Sequence, residues 1–167
     1  LPWIGYFDLI DRVDCFVFLD SVQFSKRSWQ QRNRFKGDDQ ILWLTVPVLS
    51  KGLREQRIAD VEIDLAASFH QKHLKTLDHL YGKAPFFQRY IGSLTDLLNQ
   101  SHKHLGDLNI ELIGLLCSTM GIKTEMIRSS SLDVEGRKSE LLVGICEALG
   151  AGQYVSAQGS REYISEE

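Results

Sequence analysis

The chain lacks most features that would settle its chemistry quickly. Its three cysteines, Cys15, Cys117 and Cys146, are odd in number, far apart and each set in an apolar segment. They form neither a disulfide framework nor a Cys-pair metal motif, and read as small buried hydrophobes of a reducing compartment. No apolar run approaches the roughly 20 residues of a membrane span, and the first residues carry no basic region ahead of an apolar core. The expected location is therefore the cytoplasm. Positive charge is not in excess either: a net charge of -3 and a pI near 6.0 argue against general nucleic-acid binding and leave only a local basic patch. There is no G-x-S-x-G elbow and no Walker A loop, and each cysteine sits where burial would keep it inert, so covalent catalysis is not expected. No internal repeat or low-complexity tract is present.

What remains is ordinary in bulk. Hydrophobic residues at 43% and charged residues at 25% of 167 suit a single domain with a substantial core. The chemistry concentrates in residues 1–35. Pro2 and Gly5 predict a turn leading into a short helix at Tyr6, with Phe7, Ile10 and Val13 at helical spacing. The apolar run C-F-V-F-L follows at once and suits a strand buried on both faces. Asp20 then falls at the strand's carboxyl end, where open α/β sheets bind ligands, and Ser21 and Gln23 share that position.

Between residues 26 and 36 stand Lys26, Arg27, Arg32, Arg34 and Lys36 with no acid among them. Gln30, Gln31 and Asn33 add amides, and Phe24, Trp29 and Phe35 are interleaved. One reading is a solvated basic loop; the other is an anion site whose loop is fixed by its aromatics.

Downstream, residues 41–48 read as a strand closed by Pro47 that pairs with or neighbours what precedes it. Residues 51–57 read as a polar loop able to reach over a site. Loose alternation over 58–64 predicts a half-exposed strand. From Leu65 the period becomes helical, with Phe69, His73, Leu77, Leu80 and Tyr81 on one face and Gly82 at the end. Pro85 opens a second helix, and a third runs from 105 to 120 and stops at Gly121. Residues 124–127 predict a strand, 138–149 a helix and 154–156 a further strand, a β-α-β unit that implies a parallel pair. The expectation is a single α/β domain over 1–167, with a mixed, largely parallel sheet and a helical segment over 65–121.

Two more loops compete with bland alternatives. Gly136-Arg137-Lys138-Ser139 lies at a helix start, where unpaired N–H groups, Lys138 and Ser139 would meet a phosphate, or it is a plain turn with an exposed lysine. Ala157-Gln158-Gly159-Ser160-Arg161 would suit another anion contact or be a frayed tail. Among the histidines, His102 and His104 permit metal binding by spacing, but no carboxylate or cysteine is placed to complete a site, and His73 reads as a core-facing or interface residue. No metal site and no cofactor is identified, although a nucleotide or nucleotide sugar fits the basic residues as ligand.

The order L-P-W-I-G-Y-F, V-D-C-F-V-F-L-D-S-V-Q-F, N-R and W-L-T-V-P-V resembles the WbqC-like family of bacterial proteins. So do Y-G-K-A-P-F-F at 81–87, G-R-K-S at 136–139 and Y-V-S-A-Q-G-S-R-E-Y at 154–163. The resemblance covers nearly the whole chain. It implies a link to surface-polysaccharide (O-antigen) synthesis and the transfer of an aminoacyl or acyl group to a sugar. It also implies a chain trimmed at both ends, because family members usually begin with a strand ending in a Q-P-Y-Y-like segment and continue further. In outline the turn, helix and strand are similar to nucleotidylyltransferases of the H-x-G-H type, except that Trp3 and Tyr6 flank Ile4 and Gly5 where those enzymes place histidines.

Together these readings predict a transferase with an anionic small-molecule substrate, an activated sugar or an acyl or aminoacyl donor. Asp20 would orient or deprotonate the acceptor, Gln23 and Asn33 would recognise polar groups, and Arg32, Arg34, Lys138 and Ser139 would hold phosphate. Trp3, Tyr6 and Trp29 would form apolar walls, with a core role as the alternative for each. The competing class is a non-catalytic module that binds a sugar nucleotide or a partner. Nucleic acid is the least favoured ligand, and oligomerisation is left open.

Overall fold

The helix over 105–120 decides the architecture, because it is apolar on two sides. Leu105, Leu108, Leu112 and Leu115 recur on one stripe, while Ile110, Ile113, Leu116 and Cys117 lie on another. A helix of this kind has to be covered from both directions. The computed structural model describes residues 3–37 and 39–157, and there this helix lies between two cores. We call it α4, Leu105–Met120, after α1 (Ile4–Asp11), α2 (Phe69–Tyr81) and α3 (Phe87–Leu98); α5 is Ser139–Ala148. The strands are β1 (Cys15–Phe18), β2 (Arg32–Lys36), β3 (Ile41–Thr45) and β4 (Glu125–Arg128).

The first core gathers Phe24, Val61, Ile63 and Phe69 with Leu97 and Leu98 of α3 against one side of α4. The second sets Phe7 and Ile10 of α1 and Phe18 of β1 against Ile113 and Cys117 on its other side. Ile10, Leu105, Leu108 and Val61 are the largest wholly buried aliphatics, each worth roughly 1.5–3 kcal/mol of burial. Gly121 ends α4 in the left-handed region (φ 78°), and the N–H groups of Gly121 and Ile122 return to the Ser118 and Cys117 carbonyls. Gly82 ends α2 for a different reason. Its φ is an ordinary -56°, but a Cβ there would press into the Asp78 carbonyl that accepts its N–H.

The described strands form two separate two-stranded sheets in place of one largely parallel sheet. β1 runs parallel to β4, with Cys15 opposite Glu125 and Phe18 opposite Arg128. β2 and β3 form an antiparallel hairpin, with Arg34 opposite Trp43. Among the described residues no larger sheet supports the nucleotidylyltransferase-like outline.

Three local expectations change. Residues 32–36, expected as part of a basic loop, are a strand, because Arg32, Arg34 and Lys36 alternate with Asn33 and Phe35 at period two. Residues 58–64 make no named strand: Ile58–Asp60 is a 3-10 turn, followed by single bridges from Glu62 to His104 and from Ile63 to Val48, which bury Val61 and Ile63 together. Residues 154–156 have no strand partner among the described residues, and Tyr154 and Val155 are exposed after Gly150 and Gly152, so the last β-α-β unit is not closed there. The Gln158 to Arg161 part of the terminal loop lies outside the described residues. Among them, no helix is long and apolar enough to cross a membrane.

Candidate functional site

A parallel pair places the carboxyl ends of both strands at one edge, and here that edge is polar. Asp20, two residues past β1, is only 2% exposed. Its Oδ1 accepts from the Ser130 backbone N–H at 2.9 Å and the Ser129 hydroxyl at 3.2 Å, while Oδ2 accepts from the Ser130 hydroxyl at 2.8 Å. Ser21 joins through its N–H, which donates to Ser129 Oγ at 3.1 Å, and through its hydroxyl, 2.8 Å from the same oxygen. The Asp20 carbonyl accepts from the Ala59 N–H, bringing the Ile58–Asp60 turn alongside. One carboxylate thus ties the ends of β1 and β4 to each other and to the following turn. A carboxylate accepting three donors is fixed in place, which suits it to positioning the groups around it.

Charged groups of alternating sign extend from this node. Arg57 binds Asp60 through two bonds, Nε to Oδ2 at 2.7 Å and Nη2 to Oδ1 at 3.1 Å. These hold the Asp60 carboxyl below its ordinary range, chiefly through the Arg57 hydrogen bonds. Arg128 of β4 donates from Nη1 to Asp107 Oδ1 at 2.7 Å, and His104 Nδ1 lies 3.4 Å from Asp107 Oδ2. Burial works to raise the Asp107 carboxyl, but the hydrogen bond and charge of Arg128, with His104 behind them, outweigh it and hold the group below its ordinary range. His104 stands at the amino end of α4 and pairs by backbone with Glu62, so α4, β4 and the 58–60 turn all contribute.

The hairpin carries a second cluster. Trp29 and Trp43 are 56% and 46% exposed, with ring centroids 5.5 Å apart and planes tilted by 39°. The Arg32 guanidinium lies 4.4 Å from the Trp43 ring centre, and that of Arg34 lies 5.1 Å from Trp29 and 5.9 Å from Trp43. Arg32 Nε is buried with no hydrogen-bond partner among the described residues. On the inner face, Asn33 and Phe35 line a small cavity of about 50 Å³ with His73, Leu94 and Asn109. A more open hollow of about 560 Å³ runs along α2 past Gln71, Lys72, Lys75 and His79, so neither cavity lies at the strand ends.

The expected site residues therefore divide. Asp20 is at the strand-end node. Gln23 is close in sequence but its Nε2 donates to the Arg54 carbonyl at 3.0 Å, and Lys26 Nζ donates to the Ser50 carbonyl, so the 50–57 loop is strapped along this segment. Trp29, Arg32 and Arg34 come together on the hairpin. Asn33 points the other way along the strand, and its Oδ1 accepts from the Arg34 N–H at 2.7 Å. Tyr6 packs into the second core with its ring 5.2 Å from Phe16, and desolvation pushes its hydroxyl up to about 12. Trp3, 62% exposed, lies over Gly5, where a Cβ would strike its ring. Lys138 takes an unusual backbone conformation (φ 52°, ψ -126°) ahead of Ser139 at the start of α5, and no described contact joins it to Arg32 or Arg34.

His73 is buried between the hairpin and α2, with Nε2 3.2 Å from the Thr45 carbonyl and its ring 5.3 Å from Phe69. His102 Nε2 contacts Glu111 at 3.0 Å. No group of three or more candidate metal ligands occurs among the described residues. Ser129 and Ser130, the His104–Asp107–Arg128 chain and Trp43 are functional candidates that only the structure brings forward. For Trp43 the signal was available, since alternation over 41–48 sets it on the same face as the arginines once 32–36 is read as its partner strand.

A model of the WbqC-like protein family matches residues 1–167. An uncharacterized protein of Mycobacterium tuberculosis (strain ATCC 25618 / H37Rv), Rv1507c, is 36% identical over 167 residues, covering 99% of this chain and 72% of its own length. No solved structure gives a significant match.

Proposed function

The chain belongs to the WbqC-like protein family, and from that premise we propose that it is a cytoplasmic transferase of bacterial surface-polysaccharide (O-antigen) biosynthesis, moving a sugar, acyl or aminoacyl group from an activated, anionic donor. The observation that carries this reading is the node at the carboxyl ends of β1 and β4, where buried Asp20 fixes Ser129 and Ser130 while Arg57 and Arg128 stand close by. Guanidinium groups held beside a rigid polar edge are a means by which an enzyme without a covalent nucleophile stabilises charge that develops during group transfer. In this reading Asp20 fixes Ser129 and Ser130, Ser129 in turn holds Ser21 toward the acceptor, His104 on Asp107 exchanges a proton with it, and Arg128 faces the donor's negative charge.

The test is incubation of the protein with isotopically labelled sugar nucleotides and coenzyme A esters in the presence of amino sugars and hydroxylated sugars, with transfer followed by mass spectrometry. Transfer from one donor class that falls at least tenfold in His104→Gln, with near-UV circular dichroism unchanged, is the expected result. A second reading is favoured by one observation, the saturation of both Asp20 oxygens by serine donors: a non-catalytic module that binds the donor for a partner. Binding of a donor without turnover in any combination, equal in wild type and His104→Gln, would replace the first reading by the second.

A further inference from the structure

The hairpin face is built unlike the rest of the surface. Arg32, Arg34 and Lys36 alternate along β2, Trp43 faces them from β3, and Trp29 closes the end of the row. The two indoles remain about half exposed and adjoin, so they present one large aromatic surface to solvent. Each guanidinium carbon lies over an indole, Arg32 at 4.4 Å from the Trp43 centre and Arg34 at 5.1 Å from that of Trp29, in cation–π contact. Arg32 is kept there although its buried Nε has no partner among the described residues, a local cost of the sort that gathers at functional positions. Residues 26–36 hold five cations and no acid in a chain whose net charge is -3. Charge of that density fits a phosphorylated ligand better than a single carboxylate, and the flat indole and guanidinium surfaces fit a nucleobase, which stacks on either.

We infer that the Trp29–Trp43 face is a nucleotide site, in which a base stacks on the indoles and a phosphate takes the edges of Arg34 and Lys36. Where the donor is nucleotide-activated this names its class, and to that extent it rests on the transferase reading. The binding is measured without turnover, so failure of the transfer assay and failure of this inference are separate results. A nucleotide can arrive free or within a single strand, and the two sources differ in their dependence on length and salt.

The test is quenching of tryptophan fluorescence on titration with uridine diphosphate, adenosine diphosphate, an eight-residue deoxythymidine oligomer and inorganic pyrophosphate. Saturable quenching by a nucleotide or the oligomer is expected, with pyrophosphate at least tenfold weaker because it lacks the base. Trp43→Ala and Arg34→Ala should each weaken binding about tenfold or more, and Trp43→Phe should keep it within a few-fold. Oligomer affinity well above that of the diphosphates and falling steeply with salt would assign the site to a single strand; equal affinities would assign it to free nucleotides. The inference is overturned by absence of quenching with all four ligands, by pyrophosphate binding as tightly as the nucleotides, or by affinity unchanged in both Trp43→Ala and Arg34→Ala proteins with unshifted melting temperature.

Discussion

Asp20 and Ser130 are joined twice: the Ser130 N–H donates to one carboxylate oxygen at 2.9 Å and its hydroxyl to the other at 2.8 Å. The two residues are 110 positions apart, so this clasp closes the ends of β1 and β4 over most of the chain. Removing the carboxylate leaves two hydroxyls and a partly buried N–H without their acceptor. Asp20→Ala should lower the free energy of unfolding in urea by about 3–5 kcal/mol, near the range for breaking a buried charged network. Asp20→Asn, which keeps the shape and one good acceptor, should cost about 1–3 kcal/mol. A loss under 0.5 kcal/mol for Asp20→Ala would show that the clasp is not made in solution.

His73 gives a pH dependence whose sign follows from its burial. Desolvation lowers its pKa from 6.5, and the bond to the Thr45 carbonyl opposes this only in part. The folded protein thus binds fewer protons at His73 than the unfolded chain does once pH falls below 6.5. The stability it contributes is complete above that pH and is lost as pH falls toward the folded pKa. Asp60 and Asp107, held below the ordinary carboxylate range, act in a more acidic window. Melting temperature should therefore decline between pH 6.5 and 5 in wild type and decline less in His73→Gln; parallel curves would contradict this account.

The helices were legible in the sequence because their evidence is local. Period, Pro85 and Gly121 place α3 and α4 within a residue or two, and the run C-F-V-F gives β1 in full. What was not legible depends on partners. Arg32 to Lys36 reads as a charged loop until β3 is known to lie beside it, and residues 154–156 have strand composition without a described neighbour to pair with. Asp20 stands out by its place after β1, but Ser129 and Ser130 gain significance only because a carboxylate 109 and 110 positions away is buried against them. Tyr6 illustrates the reverse case, since an aromatic beside a glycine turn suits a ligand wall, whereas its ring lies among Phe7 and Phe16.

α4 joins the two cores, so a cavity on either side should be felt by the whole fold. Leu108 is 1% exposed in the first core and Ile113 6% in the second. Leu108→Ala should cost about 2–5 kcal/mol and Ile113→Val about 0.5–1.5 kcal/mol. Both variants should retain a single urea transition with an unchanged slope, because the shared helix couples the two sides. Two separate transitions in Leu108→Ala, one near the wild-type midpoint, would show that the cores unfold independently.

Arg128 and Asp107 form the other link between β4 and α4, an ion pair of 2.7 Å with both side chains a little over one third exposed. Solvent screening at that exposure limits what the pair adds to stability, and a double-mutant cycle with Arg128→Gln and Asp107→Asn should give a coupling of only about 0.5–1 kcal/mol. The effect on the site should be larger than the effect on the fold. Asp107 also faces His104 at 3.4 Å, so Asp107→Asn removes the charge that orients the imidazole and leaves Arg128 unpaired beside Ser129. If the strand-end node carries out group transfer, Asp107→Asn should lower kcat at least tenfold with KM changed only a few-fold, because the imidazole loses the carboxylate that orients it. A KM increase with kcat intact would instead place Asp107 and Arg128 in ground-state donor binding, and a melting temperature lowered by more than a 1 kcal/mol pair can explain would make the pair chiefly structural.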